Sequence, residues 1–166
     1  GGTTDISPDT MGAISLARRF QDPLAEYARI DPRALGLGPH VHDVNQGRLA
    51  ELFDDVFASC VGHAGVEATT ADADLLARVP GLDRAKARAF VAWRDGGGRL
   101  EGKASLAAVE GVGPGAAEQA VGFLRVAGSR DPRDRTLLHP EQYALVEEMA
   151  TQVGIDLVDL FRDPRA

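Results

Sequence analysis

Apolar positions recur in the same order in two segments of the chain, thirty residues apart. The segments 76–82 (LARVPGL) and 106–112 (LAAVEGV) each contain an apolar residue, two spacers, a second apolar residue, one spacer, a glycine and a third apolar residue. In both copies, apolar residues at helical spacing follow the glycine. The pattern predicts two helical hairpins, each made of a short helix, a glycine turn and a second helix.

Helix start and stop signals extend this interpretation to the rest of the chain. The predicted helices run from Ser7-Pro8-Asp9 to Phe20, from Asp22-Pro23 to Tyr27 or Arg29, from Asp43 to Gly62 or Gly65, from Thr69 or Thr70 to Pro80-Gly81, from Arg84 to Arg94, from Lys103 to Val109, from Pro114 to Arg125, and from Pro140 to Thr151 or Gln152. Gln46 stands in capping-box position to Asp43. The apolar stripe expected to be buried on that helix is Leu49, Leu52, Phe53, Val56 and Phe57.

Sustained alternation with period two, the mark of a half-buried strand, is missing from the sequence. The predicted fold is therefore all-α, a multi-helix array that contains a tandem helix-hairpin-helix, or (HhH)2, domain. The predicted divisions are 1–42, a long connecting helix at 43–66, the paired hairpins at 67–127, and a helical connector at 128–166. Loops are predicted at 35–39 and 95–98, and a charged connector at 128–135.

The hairpin turns are candidate phosphate sites, because a helix N-terminus presents backbone N–H groups without intrahelical partners and the positive end of the helix dipole. A glycine allows positive φ and close approach of a bulky anion. The predicted nucleic-acid-binding residues are Gly81, Leu82, Arg84, Lys86, Arg88, Gly111, Val112, Gly113 and Gly115. Such contacts grip the backbone of a strand without reading its base sequence.

The second copy is predicted to bind phosphate better than the first. Gly111, Gly113 and Gly115 leave its turn bare, with Val112 filling the core from within the hairpin. In the first copy, Asp83 occupies the place of the second glycine, where a carboxylate caps the helix and repels phosphate. Arg84, Lys86 and Arg88 partly offset that charge. A purely structural role of both hairpins in packing helices together stays open at this point.

Charge and composition refine the picture. The net charge is −7, but residues 72–130 carry +2, between flanking regions of −5 and −4. The repeat is thus a basic island in an acidic chain, although so small an excess is also within ordinary scatter. No apolar run is long enough to span a bilayer, which predicts no membrane partner. A single cysteine, Cys60, excludes an internal disulfide and fits a reducing cytoplasm.

Other candidate sites are weaker than the hairpins. Cys60 and His63 have a plausible zinc-ligand spacing, yet His40 and His42 lie in a distant loop, so no metal site is predicted. Adjacent carboxylates at 54–55 and 147–148 point in different directions on a helix and cannot converge on one site. Trp93 and Phe123 occupy equivalent places in the two copies, where core packing is favoured over base stacking. No enzyme activity and no cofactor are predicted.

Specific strings outside the hairpins identify a family resemblance. They are Ala17-Arg18-Arg19-Phe20-Gln21-Asp22-Pro23-Leu24-Ala25-Glu26, His42-Asp43-Val44-Asn45-Gln46, Leu75-Leu76-Ala77-Arg78-Val79, Gly122-Phe123-Leu124-Arg125 and His139-Pro140-Glu141. With these strings the chain resembles the bacterial Tex family of transcription accessory proteins. The paired hairpins also resemble those of competence DNA receptors, but the upstream strings do not fit that family.

The resemblance implies a place within a multidomain protein. Tex-like proteins carry a helical N-terminal region, an RNase H-type YqgF domain, tandem hairpins and an OB-fold RNA-binding domain. This chain is similar to the central piece: the tail of the YqgF region, the long helix, the paired hairpins and the connection onward to the OB-fold. The acidic Asp83 departs from the uncharged polar residue expected there.

Two functions follow as hypotheses. The first is a monomeric, cytoplasmic, non-catalytic module that binds the DNA or RNA backbone through hairpin amides, with the transcription machinery as a further partner. The second is a structural or protein-interaction scaffold that orients flanking domains without touching nucleic acid.

Overall fold

Two short helices open the part of the chain that the computed structural model describes, which is residues 7–36, 38–40 and 42–161. Helix α1 (Pro8–Gln21) begins at Ser7, whose hydroxyl accepts the Thr10 N–H, and α2 (Pro23–Arg29) begins at Asp22, whose carboxylate accepts the Ala25 N–H. Both caps confirm the predicted starts. A 3₁₀ turn, Pro32–Ala34, follows. Leu37 of the predicted loop lies outside the described residues.

The long helix α3 (Gln46–Ala64) ends at Gly65, which adopts φ +66°. Its predicted start at Asp43 is wrong: the cap is Asn45, whose side-chain oxygen accepts the Arg48 N–H at 3.0 Å. Two residues of the expected buried stripe are also wrong, because Leu52 is 48% exposed and Val56 is 62% exposed. Phe57 and Val61 carry the burial instead.

The first hairpin consists of α4 (Ala73–Leu76), a turn, and α5 (Arg84–Asp95). The predicted start of this helix at Thr69 or Thr70 is wrong. Asp72 caps α4 by accepting the Leu75 N–H at 2.9 Å. The same carboxylate forms an ion pair with Arg29 and so joins α2 to the hairpin.

In the second hairpin the first arm is a 3₁₀ helix, Lys103–Ala108, and the second arm is α6 (Pro114–Ala120). The predicted helix from Pro114 to Arg125 is too long, because a 3₁₀ turn, Val121–Phe123, and a short strand replace its last part.

That strand, β2 (Leu124–Arg125), pairs in parallel with β1 (Val66–Glu67), with Val66 opposite Leu124. The pair joins the residues before the first hairpin to those after the second. Glu67 strengthens the junction by accepting the Ala127 N–H at 3.2 Å. Strands of two residues have no detectable periodicity, which is why the sequence did not predict them.

The hydrophobic core lies between the two hairpins and the end of α3. Its fully buried large side chains include Val61, Leu76, Phe90, Leu106 and Leu124. The small core residues Ala87, Ala117 and Ala120 let the helices approach closely. Within the part of the chain that the structure describes, the fold is all-α apart from one strand pair, as predicted.

The C-terminal part contains two 3₁₀ turns, Pro132–Arg135 and Pro140–Gln142, then α7 (Tyr143–Val153) and α8 (Leu157–Leu160). Between the two helices Gly154 adopts φ +73°. Along the described ranges no helix is long and apolar enough to cross a membrane.

Candidate nucleic-acid interface

The two hairpins pack on each other through equivalent contacts. A Cβ added to Gly81 would lie 2.7 Å from the Ala116 carbonyl oxygen and 2.8 Å from the Gln119 Cβ. A Cβ added to Gly111 would lie 2.7 Å from the Ala89 Cβ. Because Ala89 and Gln119 are thirty residues apart, like the two glycines, each turn contacts the same position of the other hairpin's second helix.

Both of these glycines also have positive φ, +87° at Gly81 and +84° at Gly111. Close packing and backbone conformation therefore each require glycine at these two positions. These two glycines therefore allow the two repeats to pack closely against each other.

The apolar residues that follow, Leu82 and Val112, fill the core and are almost fully buried. Their backbone N–H groups are already used, since Leu82 donates to the Val79 carbonyl at 3.0 Å and Val112 to the Val109 carbonyl at 3.1 Å. Among the predicted binding residues, these two thus present no free amide. Any free donors lie one to four residues later along the chain.

At the second turn those donors are present. Gly113 adopts φ +79°, and Pro114, at the first helical position, has no N–H. The amides of Gly113, Gly115 and Ala116 have no acceptor among the residues described. A Cβ added to Gly113 or Gly115 would meet nothing within 4 Å. The second turn is thus an open set of N–H donors at the start of α6.

At the first turn the equivalent space is filled from within the chain. The Asp83 carboxylate accepts the Lys86 N–H at 2.8 Å and also forms an ion pair with the Lys86 ammonium. Hydrogen bonds from the Lys86 side chain and backbone lower the pKa of Asp83. A carboxylate already sits where a phosphate would have to bind.

The three predicted cations therefore differ in availability. Lys86 is committed to Asp83. Arg84 and Arg88 are exposed on α5, four residues apart and so on one side of the helix, and neither has an ion-pair partner in the described part of the chain. Of the three predicted cations, these two arginines are therefore the ones left available for an anion.

The other candidate residues from the sequence do not form a binding site in the described part of the chain. Trp93 and Phe123 are partly buried and pack against the core, as predicted. Cys60 and His63 are exposed on α3, where the His63 Nδ1 lies 2.8 Å from the Ser59 carbonyl oxygen. Over the described ranges no group of three or more metal-ligating side chains is assembled.

A third hairpin escaped the sequence analysis. The segment Gly154-Ile155-Asp156 between α7 and α8 repeats the glycine, apolar residue and aspartate of Gly81-Leu82-Asp83. Asp156 accepts the Val158 N–H at 2.7 Å, a capping role similar to that of Asp83. The signal was the shared triplet, hidden because its spacing breaks the thirty-residue repeat.

A buried polar network, also unpredicted, fastens the second hairpin to the C-terminal part. Asp134 accepts hydrogen bonds from the Lys103 N–H at 3.2 Å, the Ser129 hydroxyl at 2.8 Å and the Tyr143 hydroxyl at 2.6 Å. The ammonium of Lys103, itself buried, donates to the Leu138 carbonyl at 2.6 Å. The first arm of the second hairpin is therefore held in place from outside the repeat.

Comparison with protein families matches two parts of the chain. A family described as helix-hairpin-helix motif matches residues 61–125, which contain both repeats. A family described as HHH domain matches residues 131–166, which include the third hairpin.

The bacterial relatives match nearly the whole chain, and a human relative matches about three quarters of it. The transcriptional accessory protein Tex of Neisseria gonorrhoeae is 46% identical over 94% of the chain and 21% of its own length, and protein tex of Bordetella pertussis is 45% identical over 92% and 19%. The human S1 RNA-binding domain-containing protein 1 is 36% identical over 73% of the chain and 12% of its own length. The chain thus spans about a fifth of the bacterial relatives. Along nearly its whole length the chain is homologous to Tex proteins, and it carries a tandem helix-hairpin-helix segment.

Proposed function

We propose that this chain is a non-catalytic nucleic-acid-binding module of a Tex-like transcription accessory factor, and that it contacts the phosphate backbone mainly through its second hairpin. The open amides of Gly113, Gly115 and Ala116 carry the proposal. Amides without an acceptor at a helix N-terminus are suited to an anion, and they bind phosphate without reading bases.

Two further observations support a nucleic acid as the anion. The exposed Arg84 and Arg88 add positive charge to the hairpin domain. The human relative is named for an RNA-binding domain, and the relative from Neisseria gonorrhoeae is named a transcriptional accessory protein. The affinity of the isolated segment is expected in the nonspecific range, with a dissociation constant of roughly 10⁻⁴–10⁻⁶ M at physiological salt.

Substitution of Gly115 by glutamate tests the proposal. Gly115 lies in the first turn of α6 with open space around its Cα, so Gly115→Glu places a carboxylate in front of the free amides with little effect on the fold. Gly128→Glu is the matched control, since Gly128 is also exposed with nothing within 4 Å of an added Cβ.

Binding of labelled single and double strands is then measured at low and high salt. We expect Gly115→Glu to weaken binding about tenfold and Gly128→Glu to leave it nearly unchanged, with affinity falling as salt rises. Equal binding by both variants, or affinity independent of salt, would exclude the second turn as the phosphate site.

The alternative, a scaffold that orients neighbouring domains, is favoured by a separate observation. Large exposed apolar side chains lie outside the two repeats, with Phe20 of α1 93% exposed and Val153 of α7 70% exposed. Such surfaces are typical of sites that pack against other protein. A folded wild-type segment without measurable affinity for any strand would favour this function.

A further inference from the structure

A cleft of about 520 Å³ lies beside the second turn. One wall is α6, with Pro114 and Glu118; the floor is the 3₁₀ arm, with Ala107; the opposite wall is the C-terminal part, with His139 and Tyr143. Clefts of roughly 300–1,000 Å³ are the usual size for small ligands. Pro114 is both a lining residue of the cleft and the residue between Gly113 and Gly115, so the cleft adjoins the proposed phosphate site directly.

The walls of the cleft are fixed to one another. The hydroxyl of Tyr143 donates to buried Asp134, and the Arg133 guanidinium lies 4.6 Å from the centre of the Tyr143 ring. On the other side, the His139 Nε2 lies 3.2 Å from the backbone oxygen of Glu118. Contacts of this kind hold the cleft open before any ligand arrives, which lowers the entropic cost of binding.

The lining of the cleft is acidic and so suits a phosphate poorly. It includes Glu118, Asp131, Asp134 and Glu141, against a single lysine and a single histidine, although Asp131 is paired with Arg133 and Asp134 is buried and hydrogen-bonded. A neutral ligand with hydrogen-bond donors fits this lining better than an anion does. The Glu118 carboxylate, in particular, has no hydrogen-bond or ion-pair partner among the residues described.

We propose that this cleft takes an unpaired nucleobase of the strand whose phosphate is held at the second turn. The inference rests on the proposed function, because the strand must first be bound at Gly113 and Gly115. A base is flat and neutral, it has an apolar face for Ala107 and Pro114, and it has a polar edge for Glu118. Unstacked bases of single strands are commonly recognised in this way.

The polar edge sets an order of preference among bases. A carboxylate accepts hydrogen bonds from an exocyclic amino group such as that of cytosine, which thymine and uracil lack. Oligocytidine is therefore expected to bind more tightly than oligothymidine, and Glu118→Ala is expected to remove the difference.

Filling the cleft gives the direct test. Ala107→Leu adds a larger side chain at a residue that lines the cleft. Ala108→Leu is the matched control, because Ala108 is also exposed on the same 3₁₀ arm but does not line the cleft. Both variants and the wild type are titrated with an intact single strand and with the same strand made abasic. Loss of the stacked base should weaken wild-type binding about tenfold. Ala107→Leu should bind the intact strand as weakly as the wild type binds the abasic one.

The outcomes separate the two proposals. If the wild type binds intact and abasic strands equally and Ala107→Leu has no effect, the base site is overturned while backbone binding stands. If the wild type binds neither strand, the proposed function fails and the base site fails with it. An equal loss in Ala108→Leu would also overturn the base site, because that side chain lies outside the cleft.

Discussion

The two hairpins share one backbone plan and differ in what occupies the space in front of the second helix. Asp83, Arg84 and Ala85 of the first turn correspond to Gly113, Pro114 and Gly115 of the second. In the first, a carboxylate closes on the amides it caps; in the second, the amides stay open. The first hairpin is therefore capped by its own side chain, whereas the second presents amides that suit an anion and have no acceptor among the residues described.

The hairpins differ again in how their first arms are held. Lys103 of the second arm is buried and bonded to the C-terminal part, while the corresponding residue of the first arm is Ala73. Both first arms are anchored from outside the repeat, but by different means: the first by partly exposed ion pairs, Asp72 with Arg29 and Arg78 with Asp54, and the second by the buried network of Asp134. An open turn lacks the stabilising cap, and we interpret the buried anchor as compensation for it.

Removal of the anchor is expected to have the largest effect. Asp134→Ala deprives three donors of their acceptor, those of Lys103, Ser129 and Tyr143. At roughly 1–3 kcal/mol for each unsatisfied buried group, partly relieved by water, the free energy of unfolding should fall by about 4 kcal/mol. Urea denaturation measures the change. A loss below about 1 kcal/mol would show that the network does not hold the second hairpin.

Glycine substitutions in the turns should have the next largest effect. They compare a closely packed glycine, Gly81, with one that has open space around it, Gly113. Gly81→Ala meets the Ala116 carbonyl at 2.7 Å in a positive-φ conformation, which predicts a loss of about 3 kcal/mol. Gly113→Ala has the same sign of φ but open space, which predicts a loss of about 1 kcal/mol. If urea denaturation showed equal losses of unfolding free energy for the two variants, the difference in packing between Gly81 and Gly113 would be contradicted.

The anchor also predicts a dependence on pH. Burial lowers the pKa of Lys103 to about 8, from 10.5 in the unfolded chain, with Asp134 acting in the opposite direction. Between these values the unfolded state binds more protons, so stability should rise with pH. Burial and the bond to Asp134 raise the pKa of Tyr143, whose ordinary value is 10.0, and this makes stability fall above about pH 10.

Stability measured from pH 8 to 10 therefore isolates the lysine. Lys103→Met should flatten the rise. The control is Lys86→Met, which removes an ammonium at the surface beside Asp83 and should leave the rise intact. Persistence of the rise in Lys103→Met would assign it to another group.

The smallest expected effect comes from partial opening of the first turn. Asp83→Asn keeps a good capping residue and removes the negative charge. Binding of a single strand at low salt should strengthen about threefold, because the repulsion of phosphate disappears. No change, combined with an unchanged fold by circular dichroism, would mean that the first hairpin lies away from the strand.

The hairpins were predictable because local signals encode them. Glycine at a fixed distance from apolar residues specifies both the turn and the buried residue that follows it, Leu82 or Val112. Asp83 could be identified directly as a cap. The start of α3 was not identified: the sequence analysis placed the cap at Asp43, whereas Asn45, an equally good cap residue, begins the helix. The Asp134 network joins residues far apart along the chain, and only the folded chain brings them together.

The same limit applies to the candidate site. The difference between the turns could be predicted from glycine against aspartate, but the use of the Leu82 and Val112 amides depends on turn geometry. The cleft between α6 and the C-terminal part has no sequence signature, because its walls come from three separate segments.

Amide chemical shifts recorded during titration with a short single strand test the central claim most directly. The account predicts that the amides of Gly113, Gly115 and Ala116 shift strongly, with smaller changes at Arg84 and Arg88. The hydrogen-bonded amides of Leu82 and Val112 should shift least among the turn residues. Strong shifts confined to the first turn, or absent from both turns while the strand binds elsewhere, would contradict it.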